Sequence, residues 1–166
     1  LQRALRQDLT IGGAVALLAA VRDLRVRALV TWAAIGSIDR WTAEVKRDWR
    51  ERGRLDVINS RTGQVLPLFT DSLDELERHA VGRFSLTGAA AKMTVPWLIV
   101  HGEADESVAP DDARRLHGAS ARATTELLMI PGAGHTFGAV HPWRGTTPEL
   151  DRVTQATVNW MVRALI

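Results

Sequence analysis

A chain of 166 residues, 46% apolar and 24% charged with a formal charge of +2, carries enough apolar mass for one domain with its own core and too balanced a charge for disorder. It has no cysteine, which excludes disulfides, thiolate catalysis and cysteine metal sites. No run of about five or six basic residues forms a phosphate-tracking patch, and no apolar stretch reaches the ~18–20 residues of a membrane span, so neither nucleic acid nor membrane is expected as a partner. A cysteine-free chain suits the reducing cytoplasm, the compartment expected here, although it fits others nearly as well. The first residue is Leu1 rather than methionine, which reads as a mark of a fragment or a processed product.

In chain order, residues 1–22 read as a helix with Leu1, Ala4, Leu5, Leu9, Val15, Leu17 and Leu18 as its apolar positions. Gly12-Gly13 interrupts it, and adjacent glycines cost a helix interior roughly 1 kcal/mol each, so they call for a turn or a close contact. The apolar run Val26 to Ile35 suits a buried parallel strand. Residues 37–93 change character. Trp41, Val45 and Trp49 fall four apart on one face of an expected helix to Arg52; Leu55 to Ile58 and Val65 to Leu68 read as a hairpin; Asp71 to His79 starts another helix. This stretch is taken as a cap-like insertion into a single domain spanning 1–166. After Pro96 the α/β pattern returns. Trp97 to Val100 is a short buried strand, Pro110 opens a helix that Gly118 would end, and Thr125 to Ile130 is the next strand. Thr147 caps a last helix with Leu150, Val153, Ala156, Trp160, Met161 and Ala164 as its stripe. Strands alternating with helices predict a parallel sheet between helical layers, three-layer α/β/α.

Two residues stand where chemistry gathers in such sheets, just beyond the carboxyl ends of strands. Asp105 follows Leu98-Ile-Val-His-Gly-Glu-Ala, and a carboxylate there can orient a histidine and stabilise its cation. His135 sits in Pro131-Gly-Ala-Gly-His135-Thr-Phe137, where glycines let the loop turn tightly and an imidazole can move a proton near neutrality. Taken singly, Asp105 reads more readily as a turn or capping residue, and His135 is equally at home as an exposed loop residue. Their placement on consecutive strand crests is what joins them.

The stretch Val95 to Trp143, "VPWLIVHGEADESVAP…LLMIPGAGHTFGAVHPW", resembles the acid and histidine segments of α/β-hydrolases, most of all the dienelactone-hydrolase-like and prolyl-oligopeptidase-like serine hydrolases. "GGAVALLAAVRDLRVRALVTWAA" is similar to the helix after the nucleophile and the strand that follows it. The resemblance implies Asp105 as triad acid, His135 as triad base, and strands near 26–35, 96–101 and 125–130 as the last three of an eight-stranded sheet. It implies a small-molecule ester, lactone or peptide-like substrate and no cofactor or metal. It also places Thr10 at the nucleophile position, with Leu9 and Asp8 where the family has histidine and glycine. Threonine carries a hydroxyl that a histidine can activate. The elbow, however, is a strained turn at a strand end where glycine is favoured, whereas Leu1 to Gln7 reads as helical.

Three readings follow: a hydrolase impaired by its degenerate elbow, a non-catalytic remnant that keeps acid and base, or an assembly module. A truncated sheet would leave the edge of strand 26–35 open, which predicts self-association through it. His101, before a glycine at a strand end, takes a structural role by the resemblance. His141-Pro142-Trp143 is expected to pack the loop after His135 or to line a pocket.

Overall fold

The computed structural model describes residues 5–6, 11–59 and 63–166. In chain order the elements are β1 (Leu5–Arg6), α1 (Gly12–Ala20), β2 (Leu29–Trp32), α2 (Ala43–Arg52), β3 (Arg54–Ile58) and β4 (Val65–Phe69). They continue with α3 (Thr70–His79), α4 (Leu86–Ala91), β5 (Trp97–Gly102), α5 (Pro110–Ala119), β6 (Thr125–Ile130) and α6 (Pro148–Leu165). Two compact units result, Leu1–Leu9 with Ser37–Ser85 and Thr10–Gly36 with Leu86–Ile166.

The larger unit is built on a parallel sheet in the order β2-β5-β6. The centre strand β5 pairs with β2 from Leu29↔Trp97 to Trp32↔Val100 and with β6 from Trp97↔Thr125 to Gly102↔Ile130. Every residue of β5 is buried, as the unbroken apolar run of a strand covered on both faces requires. Side chains alternate across it. Leu98 and Val100 join Ala33, Ile130, Phe137, Val153 and Trp160 in the core under α6. Trp97, Ile99 and His101 point the other way. Among the described residues β2 is hydrogen-bonded to β5 alone and is an edge strand. It is shorter than the run from Val26 to Ile35 suggests, because at Ala33 the backbone leaves the extended region with φ +48°.

The glycines of α1 have separate explanations. Gly12 is the first helical residue, and a Cβ on Gly13 would lie 2.6 Å from the Ala34 Cβ, so close packing on the segment after β2 holds that position to glycine. Helix α5 runs one residue past Gly118 because Ser120 closes it: its N–H reaches the Leu116 carbonyl at 3.1 Å and its hydroxyl donates to His117 O at 2.9 Å. Helix α6 follows its expected stripe, with Val153 and Trp160 buried and Leu150, Met161 and Ala164 packed beside them.

Thr147 does more than cap α6. Its Oγ1 accepts from Leu150 N at 3.1 Å and donates to Phe137 O at 2.6 Å, which ties the helix start to the loop carrying His135. Thr147→Ala is expected to cost about 1–2 kcal/mol in urea denaturation, at the upper end for a lost N-cap because a second hydrogen bond goes with it.

The smaller unit holds the hairpin β3-β4, antiparallel from Arg54↔Phe69 to Ile58↔Val65, with α2 and α3. Trp49 is buried, donates from Nε1 to Leu68 O at 2.8 Å, and meets the Trp41 ring edge-on at 5.3 Å. Among the described residues β4 is an edge strand, with Pro67 in it, a residue that cannot extend the ladder. The expected helix over 1–22 is not continuous. Leu5–Arg6 is extended and pairs in parallel with Val57 and Ile58 of β3, outside the β2-β5-β6 sheet. Pairing with a distant strand overrides the local helical pattern there. The remaining residues of 1–10, and Ser60–Thr62 at the hairpin tip, lie outside the described residues.

Candidate active site

The site is built on the carboxyl ends of β5 and β6. Beyond them the two loops are tied by backbone hydrogen bonds, Glu103 N to Ile130 O at 3.0 Å and Ala104 N to Ala133 O at 2.9 Å. The approach is close enough that a Cβ on Gly102 would lie 2.2 Å from Ala133 O. Gly102→Ala must therefore push the crests apart and is expected to destabilise by about 1–3 kcal/mol, the usual cost of overpacking. Gly118→Ala, in α5 with nothing near the added methyl, should instead gain up to about 1 kcal/mol from helix propensity. Thermal melts of the two variants check both signs.

That junction delivers Asp105 to His135. Asp105 Oδ1 accepts from Ser107 N at 2.9 Å and Val108 N at 2.8 Å, so the turn after it anchors one carboxylate oxygen. Oδ2 lies 2.8 Å from His135 Nδ1. The carboxylate is fully buried and the imidazole is 13% exposed. A carboxylate oxygen can only accept from a ring nitrogen unless it is protonated, so the pair places a histidine proton on Nδ1 and, in the neutral ring, the lone pair on Nε2. The chain then turns back with positive φ at Phe137 (+53°) and Gly138 (+81°). The strained Phe137 is held by burial of its ring, 2% exposed and edge-on to Trp32 at 5.9 Å. Trp32 in turn donates from Nε1 to Thr157 Oγ1 at 3.0 Å, linking the end of β2, the histidine loop and α6.

Asp105 and His135 are thus brought together as their sequence positions predict. Thr10 lies outside the described residues. His141, Pro142 and Trp143 are all exposed, Trp143 to 62%. His101, given a structural role from the sequence, lies close to the pair. It is wholly buried, with Nε2 3.3 Å from Asp105 Oδ2 and 3.0 Å from Val108 O. Its signal was the alternation of β5, which puts it on the same inward face as Trp97 and Ile99.

A parallel three-stranded sheet with helices on both faces matches the C-terminal portion of an α/β-hydrolase fold. No protein-family model matches the sequence, and no curated protein matches it. Solved structures do. Alpha/beta hydrolase domain-containing protein 10 from mouse is similar at TM-score 0.70 and 17% identity, covering 95% of this chain and 60% of that one. A monoacylglycerol lipase from Paleococcus ferrophilus is similar at 0.66 and 16%, covering 93% and 66%. The esterase domain of a Rhodothermus marinus protein is similar at 0.62 and 19%, covering 92% and 58%. At these identities the likeness is one of fold. The chain spans 58% of the length of that esterase domain.

Proposed function

We propose that this chain carries the acid and base of a carboxylic-ester hydrolase of the dienelactone-hydrolase type, acting on a small-molecule ester, lactone or peptide-like bond. The observation that carries the reading is the 2.8 Å contact between His135 Nδ1 and a buried Asp105 carboxylate whose other oxygen is anchored by two backbone amides. Esterases and a lipase among the similar structures support ester chemistry in particular.

In the mechanism, a hydroxyl attacks the ester carbonyl while His135 Nε2 takes its proton, and Asp105 stabilises the resulting imidazolium. Collapse of the tetrahedral intermediate expels the alcohol, to which Nε2 returns the proton. Water activated by the same nitrogen then releases the acid. Thr10 is the nucleophile proposed from its sequence position. A second reading, a remnant that keeps acid and base without turnover, is favoured by Asp8-Leu9-Thr10 standing where the elbow has glycine, histidine and serine.

Hydrolysis of a short-chain p-nitrophenyl ester separates the two. Turnover by the unaltered protein, lost in both His135→Ala and Thr10→Ala, establishes the hydrolase with Thr10 as nucleophile. Turnover lost only in His135→Ala keeps the hydrolase and removes Thr10. The same negligible rate from all three proteins leaves the remnant.

A further inference from the structure

We infer that His101 is a positioning residue for the Asp105–His135 pair, its Nε2–H clamping the carboxylate so that Oδ2 faces His135. The inference rests on the reading of that pair as acid and base. It starts from what surrounds the ring. Nε2 lies 3.0 Å from Val108 O and 3.3 Å from Asp105 Oδ2, and both atoms are acceptors, so the proton must sit on Nε2. Nδ1 is buried and finds no hydrogen-bond partner among the described residues. A buried polar atom left without a partner carries a desolvation cost. A ring kept for packing alone could be phenylalanine or leucine and carry no such cost. What distinguishes histidine here is the donor at Nε2.

The clamp closes a small ring of interactions. Val108 N donates to Asp105 Oδ1 at 2.8 Å, Val108 O accepts from His101 Nε2 at 3.0 Å, and Asp105 Oδ2 lies 3.3 Å from the same nitrogen. Rotation of the carboxylate about its Cβ–Cγ bond would break contacts at both ends. The carboxylate is therefore held in one orientation before His135 becomes charged, which is when its position matters. His101 itself stands on the central strand, fully buried. The clamp thus fixes the loop's carboxylate to the rigid sheet.

Long-range proton–nitrogen correlation spectra of protein labelled with ¹⁵N in its histidine rings test this, because they read which ring nitrogen carries the proton whether or not the chain turns over ester. In the unaltered protein His101 is expected to be protonated at Nε2 and His135 at Nδ1. His101→Gln retains an N–H donor near the Nε2 position and should keep the His135 Nδ1 proton. His101→Leu removes the donor and should exchange that proton with water about tenfold faster, with His135 populating both tautomers, while far-ultraviolet circular dichroism stays unchanged. A His101 protonated only at Nδ1 in the unaltered protein overturns the inference and needs no variant. A folded His101→Leu protein with the unaltered His135 pattern reduces His101 to packing. If His101→Leu does not fold, the decision passes to His101→Gln: a folded protein that keeps the His135 proton sustains the donor role, and one that loses it overturns it. If the His135 pattern follows the donor as expected but no protein hydrolyses ester, the clamp stands and only the catalytic reading of the pair is lost.

Discussion

On the proposed hydrolase reading, Asp105→Asn is expected to lower kcat for ester hydrolysis by about 10⁴-fold, the scale seen when a triad carboxylate becomes an amide. The geometry gives the reason. The backbone amides of Ser107 and Val108 both donate to Oδ1, so the asparagine carbonyl must occupy that side and its NH₂ must take the Oδ2 position. An amide nitrogen there meets His135 Nδ1, now forced to be the acceptor, so the ring proton moves to Nε2. The nitrogen that should take a proton from the nucleophile is then already protonated. The same NH₂ faces His101 Nε2–H, donor against donor, in a site with no exposure. That mismatch should cost about 1–3 kcal/mol of stability in addition. Rates on a p-nitrophenyl ester and urea denaturation of the same preparation read both effects. A variant that keeps more than about a tenth of the unaltered rate would show that Asp105 does not set the tautomer of His135.

Asp105 and His135 were legible because each follows a strand that announces itself. Trp97-Leu-Ile-Val and Leu127-Leu-Met-Ile are compact apolar runs, and a glycine beyond each marks where the chain turns. Their side chains meet because the strands are parallel neighbours, which the alternation of elements predicts. Helix α6 was legible from its cap and stripe, and the β3-β4 hairpin from its two short apolar runs. Three features depended on the folded context rather than on local pattern. Leu5–Arg6 is extended because β3 offers it an edge, and nothing in the first ten residues encodes that. Ala33 takes a positive φ at the end of β2, which cut short a strand whose composition alone would continue. The neighbours of His101, a backbone carbonyl and a carboxylate, come within reach only after the loop from Gly102 to Val108 has folded back, so the sequence alone gives the ring no partner.

Trp97→Ala is expected to cost about 3–5 kcal/mol, the range for truncating a fully buried aromatic side chain. Against a total stability of roughly 5–15 kcal/mol for a domain, that leaves a marginal fold or none. The residue is wholly buried and opens the central strand, where it sits opposite Leu29 of β2 and Thr125 of β6 at once. Its backbone N–H donates to Thr124 O at 2.8 Å, and its indole Nε1 donates to the buried Thr31 hydroxyl at 3.1 Å. Removing the ring opens a cavity among all three strands and strands the Thr31 hydroxyl without that donor. Trp97→Phe separates the two contributions: it refills most of the volume but supplies no N–H, so about 1–3 kcal/mol should remain. Urea titrations followed by circular dichroism give both values. If Trp97→Phe matches the unaltered protein, the indole hydrogen bond contributes nothing net and packing alone holds the strands in register. If it matches Trp97→Ala, the polar contact is what fixes β2 to β5, and with it the segment after β2 on which α1 packs.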